Sequence, residues 1–302
     1  MDFKSKIILI YGPTASGKTD FAIRLAEKIK GEVINADSMQ VYKDLKILTA
    51  RPLKKDIKRI KHHLYGIVEA KKNFSSGDWI KLVAKKISSI RKKNKIPILV
   101  GGTGLYFKSI IDGLVEIPKI PLKIRNQVRK LQKKLDQKNF FKKLIKIDPL
   151  VKGKIDPTDT QRSVRAFEVK YHTKKSIFEW YKQTKPKFEK NEFVKLYIDF
   201  SRPELIKRIY LRTEKMLENG SIPEVKKFLG LKVPKNKSIS KAIGINEITN
   251  LIKNRLTKDQ VIEKISIKTR QYAKRQVTWA RGNMRDWKKI KPKGLNNFLK
   301  NI

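Results

Sequence analysis

Ile7-Ile8-Leu9-Ile10-Tyr11 followed by Gly12-Pro13-Thr14-Ala15-Ser16-Gly17-Lys18-Thr19 is the stretch that decides the fold class of this 302-residue chain. Five apolar residues without a break read as a strand buried on both faces, as in a parallel sheet. The next eight fit G-x-x-x-x-G-K-[ST], a phosphate-binding loop. Its glycines let consecutive backbone N–H groups turn inwards around phosphate oxygens. Lys18 adds a point charge on the terminal phosphates, and the Thr19 hydroxyl is placed to ligate Mg²⁺. A helix is expected over Asp20–Lys30, with Phe21, Ala22, Leu25, Ala26 and Ile29 on one face. The loop leaves its ligand open. ATP, GTP and an isoprenoid diphosphate present the same oxygens, so kinase, ATPase and diphosphate-dependent transferase all remain; read alone, the loop suggests ATP.

Working outward, residues 32–36 are a second strand candidate and residues 97–100 a third, ending in Gly101-Gly102-Thr103-Gly104. Between them Trp79, Ile80, Val83, Ala84, Ile87 and Ile90 form a helical stripe with Asp78 as the expected cap. This rhythm predicts a doubly wound parallel sheet with ligands beyond the carboxyl ends of its strands. Residues 113–121 are a Pro-punctuated connector, and the following stretch has helical patterns but no good strand. Strand character returns at 195–200. Ser201 to Glu204 then reads as a capping box opening a helix to about Asn219, and Thr257 to Gln260 opens a long basic helix. The expected organisation is an α/β, P-loop NTPase-like parallel sheet flanked by helices, spanning 1–116 and 190–302 with a helical C-terminal part. An all-helical insert occupies 117–189.

Lys and Arg number 73 against 28 acidic residues, a formal charge of +45. Such a charge repels itself unless a polyanion is near, and nucleic acid is the commonest. A lysine-rich proteome accounts for part of it, because Lys decorates almost every helix. The absence of cysteine excludes disulfides, thiolate zinc sites, iron–sulfur clusters and a Cys nucleophile. Three histidines are too few for a histidine metal cage. No secretory signal is readable, and no apolar stretch approaches the roughly 20 residues of a membrane helix. A cytoplasmic monomer without membrane contact is expected.

Further polar blocks carry chemistry. Asn35-Ala36-Asp37-Ser38-Met39-Gln40-Val41-Tyr42 follows the second strand. There Asp37 can bind Mg²⁺ or take a proton, and Ser38 and Gln40 can bond a heterocycle edge; the residue types equally allow Asp37 to cap a turn. Thr103 offers a hydroxyl after the third strand, where glycines permit close ligand approach. In the insert, Asp159 is the expected cap of a helix on which Gln161, Arg162 and Arg165 share one arc, suited to phosphate and base contacts. Residues 270–281 interleave cations with aromatics; Tyr272 and Trp279 read as core residues more readily than as base-stacking ones.

With these blocks in hand, the chain resembles the tRNA dimethylallyltransferases, or tRNA isopentenyltransferases, of bacterial type. The family signatures GPTASGKT, ADSxQVY, TA[KR]P, GGTGLY, DPxDxQRxxRA and RQxAKRQxTW occur in order at Gly12, Ala36, Thr49, Gly101, Asp156 and Arg270, so the resemblance spans about residues 7–287. The chain departs from the family with Leu48 before Thr49-Ala50 and with Ile245-Asn246 inside a later block. The resemblance implies transfer of a dimethylallyl group from dimethylallyl diphosphate to N6 of the adenosine 3′-adjacent to the anticodon, with tRNA as partner, through its anticodon stem-loop, and Mg²⁺ as cofactor. It implies Asp37 as general base, with Lys18, Thr19 and Thr103 on the diphosphate or the bridging oxygen. Gly12 to Thr19 and Arg212 would hold the diphosphate. Asp37, Ser38, Met39, Gln40, Thr103, Arg125, Gln161, Arg162, Ser163, Val164 and Arg165 would contact tRNA.

Overall fold

The run Ile7–Tyr11 becomes strand β1 with all five side chains buried, as a strand covered by helices on both faces requires. The computed structural model describes residues 3–302. The chain continues through α1 (Lys18–Lys28), β2 (Gly31–Asn35), α2 (Lys54–Arg59), β3 (His62–His63), α3 (Ser76–Arg91), β4 (Ile96–Gly101) and α4 (Gly104–Asp112). Next come α5 (Leu122–Lys134), α6 (Gln137–Ile147), α7 (Thr160–Thr173) and α8 (Ile177–Tyr181). Then follow β5 (Phe193–Ile198), α9 (Arg202–Glu218), α10 (Ser221–Gly230), α11 (Ile245–Ile252), α12 (Lys258–Asn283), β6 (Lys288–Ile290) and α13 (Gly294–Lys300).

The strands form one parallel sheet in the order β3-β2-β4-β1-β5-β6. Tyr11 is in register with Gly101 of β4 and with Tyr197 of β5, so the loops after β1, β4 and β5 leave the sheet at one edge. That edge is where a doubly wound sheet binds its ligand. Ile8, Ile10, Val33, Ile98, Val100 and Leu196 pack against Phe21, Ala22 and Leu25 of α1. A second core joins Val41, Tyr42 and Leu45 to Val225, Phe228, Ile245, Ile248, Val261 and Ile265. Ile245, at the departure from the family motif, is therefore a packing residue.

Several expected boundaries move for local reasons. Helix α1 starts at Lys18, directly after Gly17 in the left-handed conformation at φ 78°. The cap of α3 is Ser75 and not Asp78. Asp78 occupies the third helical position and returns the bond, with the Ser75 N–H donating to its carboxylate at 2.9 Å. At α9 the Ser201 hydroxyl donates to Glu204 at 2.6 Å and makes no cap bond to a backbone amide. The box at Thr257 and Gln260 has both of its bonds. Strands β3 and β6 carry no strand signal in the sequence, because His-His and Lys-Lys-Ile are too short to show alternation; each exists by pairing with a sheet edge.

The chain forms two compact units, one of residues up to 111 together with 187–302 and one of residues 112–186, against the 117–189 expected for the insert. The smaller unit carries its own core of Val128, Phe140, Phe141, Leu144, Val151, Ile155 and Phe167, and the Asp159 side chain caps α7 by accepting from the Arg162 N–H at 2.9 Å.

Candidate active site

The phosphate loop is held from three sides. The Thr14 N–H donates to the Gln276 side-chain carbonyl at 2.8 Å, and the Gln276 amide donates to the Gly102 carbonyl at 2.8 Å. Gln276 on α12 is 4% exposed and thus ties the loop after β1 to the loop after β4. The Tyr11 hydroxyl donates to the Gln276 backbone carbonyl at 3.0 Å. From α9, Arg208 donates to the Ala15 carbonyl at 2.8 Å and Arg212 to the Thr14 hydroxyl at 3.1 Å. Lys18 donates to the Pro13 carbonyl at 3.1 Å. Ser16 Oγ is buried in the loop with no hydrogen-bond partner, and the first-turn amides of α1 have no intrahelical acceptor. An orphaned hydroxyl, free helix-end amides and the cations Lys18 and Arg212 make a cradle for an anion.

Beyond β2, Asn35 fixes the backbone of Asp37. Its Oδ1 accepts from the Asp37 N–H at 2.8 Å and its Nδ2 donates to the Asp37 carbonyl at 2.9 Å. Asp37 Oδ1 then accepts from the Met39 N–H at 2.9 Å, so the carboxylate shapes its own turn as well as facing a pocket. The Thr103 hydroxyl accepts from the Ser38 N–H at 2.9 Å and links the loops after β2 and β4. Gln40 donates through its amide to the Thr49 and Ala50 carbonyls at 2.9 and 3.0 Å. Thr14, Asp37, Ser38, Met39, Thr49, Arg212, Tyr272 and Arg275 line a cavity of about 320 Å³.

The electrostatics converge on Asp37. Part of Lys18 still reaches the surface, yet its ammonium lies deep in protein. Burial lowers its pKa to about 8, the Asp37 carboxylate opposes that shift and Arg212 adds to it. Burial also lowers the pKa of Arg212, again opposed by Asp37. Tyr272 and Tyr106 are pushed up, first by burial and then by the Asp37 charge.

Other expected contacts are redistributed. A Cβ on Gly101 would lie 2.0 Å from the Ala36 carbonyl oxygen, and one on Gly104 would lie 2.4 Å from the Trp279 ring. These glycines therefore admit protein, which corrects the expectation of close ligand approach. Trp279 seats α12 on this turn and lies 5.9 Å from the Tyr11 ring. In the insert, Gln161, Arg162 and Arg165 are exposed and Arg125 opens onto the surface of α5. Ser163 is buried, with its hydroxyl donating to the Asp159 carbonyl at 2.7 Å, and Val164 packs on the insert core. The side chains of Ser163 and Val164 thus face the insert's own helices and core. Gln276 and Arg208 are site residues that the sequence does not mark. Gln276 stands inside the block at Arg270 and Arg208 one turn before Arg212, but what each grips is decided by the fold.

The IPP transferase family model matches residues 40–283. A tRNA dimethylallyltransferase of Pelagibacter ubique is 58% identical, over 100% of this chain and 96% of its own. The chain belongs to the IPP transferase family. Among solved structures similar to this family member, a eukaryotic dimethylallyltransferase acting on tRNA is 30% identical with a TM-score of 0.83, covering 95% of this chain and 73% of that one. The full-length tRNA isopentenylpyrophosphate transferase of Bacillus halodurans is also 30% identical, with a TM-score of 0.69, covering 99% and 95%.

Proposed function

We propose that the chain transfers the dimethylallyl group from dimethylallyl diphosphate to N6 of the adenosine 3′-adjacent to the anticodon in tRNA. The products are N6-dimethylallyladenosine and diphosphate. The observation that carries this reading is the pocket in which Asp37 meets Arg212 and Thr14 of the phosphate loop: a base and an anion cradle in one cavity.

The allylic C–O bond breaks with cationic character on carbon, and its electron pair leaves with the diphosphate. Lys18, Arg212 and the loop amides stabilise that growing negative charge. Asp37 takes the N6 proton as the C–N bond forms, and Asn35 holds the Asp37 backbone for the task. Thr103 is assigned to the bridging oxygen, its hydroxyl positioned by Ser38. Mg²⁺ fits this donor set. The Thr19 hydroxyl, at the start of α1, would hold the ion together with substrate oxygens. When bound there it supplies charge neutralisation for the diphosphate. Flipping the adenosine out of the loop costs a few kcal/mol, offset by contacts from Ser38, Met39 and Gln40 and by Gln161, Arg162, Arg165 and Arg125 of the insert. The proposed setting is a cytoplasmic monomer; no helix among the described residues is long and apolar enough to cross a membrane.

The test is incubation with undermodified tRNA and labelled dimethylallyl diphosphate without ATP. Label in the anticodon-adjacent adenosine is expected. ATP hydrolysis with no label would return the loop to a kinase or ATPase reading.

A further inference from the structure

Glu168 lies on α7, 2% exposed, inside the insert. Its carboxylate is 3.6 Å from Arg125 Nε, 3.5 Å from Arg129 Nε and 3.9 Å from an Nη of Arg165. The three guanidinium side chains keep 40, 54 and 44% of their surface. A buried carboxylate without a partner costs several kcal/mol, and a neighbouring cation offsets that cost fully only where hydrogen bonds also satisfy its oxygens. Three cations around one anion leave the cluster with a net positive charge at the surface. Arg125 and Arg129, one turn apart on α5, approach through Nε. That edge faces the protein and leaves each terminal pair of Nη groups for another acceptor. Paired N–H donors on a planar fork match the oxygens of a phosphodiester bidentately.

We propose that Glu168 is a positioning residue that holds Arg125, Arg129 and Arg165 as one phosphate-gripping cluster for the RNA substrate. The proposal rests on the tRNA reading above, and it adds Arg129 and Glu168 to the RNA-binding surface. Glu168 touches no RNA. It draws three forks together through ion pairs of 3.6, 3.5 and 3.9 Å, with Glu168 Oε1 and Arg125 Nε left without a hydrogen bond; unanchored, the forks would lose more rotamer freedom on binding.

The alternative is that the arginines act only through net charge, and the two accounts predict opposite signs. Glu168→Gln is nearly isosteric and removes a negative charge from beneath the cluster, so a pure charge effect tightens RNA binding. Loss of positioning weakens it. With the full chain, affinity for an undermodified anticodon stem-loop is measured by fluorescence anisotropy across a salt series, beside steady-state transfer. Glu168→Gln is expected to raise the RNA Kd about tenfold, with the loss falling on KM for RNA more than on kcat. Arg129→Lys keeps the charge and loses the fork; it is expected to weaken binding about fivefold, and Arg129→Met to reduce the salt slope by about 1. Unchanged or tighter binding by Glu168→Gln, with Arg129→Lys equal to the native chain, overturns the cluster. Should Glu168→Gln fail to fold, as judged by circular dichroism, the exposed Arg129 variants decide. A native chain that transfers no label would sink the reaction, while the anisotropy series would still report on the cluster.

Discussion

Lys18 combines an unfavourable place for a charge with a substrate that needs one. Burial takes its pKa down to about 8, and Arg212 pushes the same way. A diphosphate binds the protonated amine better, so its affinity is full below about pH 8 and falls as pH rises through that value. Calorimetric titration of dimethylallyl diphosphate across that range checks this, and Lys18→Met should flatten the profile; a flat native profile would contradict it. The same shift has a folding consequence. The folded pKa of Lys18 lies below its ordinary value of 10.5, so the unfolded chain holds more protons between the two. Stability of the ligand-free protein from this group therefore rises with pH across that window. Asp37 makes a separate prediction. Asp37→Asn should keep RNA affinity within about threefold and lose roughly a hundredfold or more in turnover. Turnover near the native rate would move the base elsewhere.

Helix α12 ties the phosphate loop to the loop after β4 through one buried amide, because Gln276 bonds both Thr14 and Gly102. Gln276→Leu keeps the volume and leaves a buried donor and acceptor unpaired, at about 1–3 kcal/mol each. A lower Tm and at least a tenfold weaker diphosphate Kd are expected, from thermal unfolding and calorimetry. Native-like diphosphate binding by this variant would show that the loop needs no clamp. Legibility divides along the same line. The phosphate loop could be read from sequence because its glycines, Lys18 and Thr19 are demanded by local backbone geometry and by the ligand itself. The capping box at Thr257 and Gln260 could be read because it spans four contiguous residues. Gln276 and Glu168 could not, since an amide or carboxylate in a helix carries no mark of what it will meet. The glycines of the loop after β4 read in the sequence as room for ligand, whereas they admit Ala36 and Trp279, which come from other elements.

At the scale of the molecule the surplus of 73 basic over 28 acidic residues makes tRNA affinity salt-dependent. The binding constant is expected to fall at least about a hundredfold between roughly 50 and 200 mM salt, while affinity for the partly enclosed diphosphate changes far less. Filter binding of tRNA and calorimetry of the diphosphate at matched salt make the comparison; equal slopes would mean that the charge is merely a solvated surface. By itself the sequence determined the strand–loop–helix core, the helical insert and the polar blocks, because hydrophobic period, glycine geometry and caps are properties of contiguous residues. Only the tertiary structure decided the edge strands β3 and β6, the clamp from Gln276, the inward turn of Ser163 and Val164, and the gathering of Thr14, Asp37 and Arg212 around one cavity. Each of those depends on a partner distant along the chain, and local residue patterns record no partner until parallel pairing and packing bring it near.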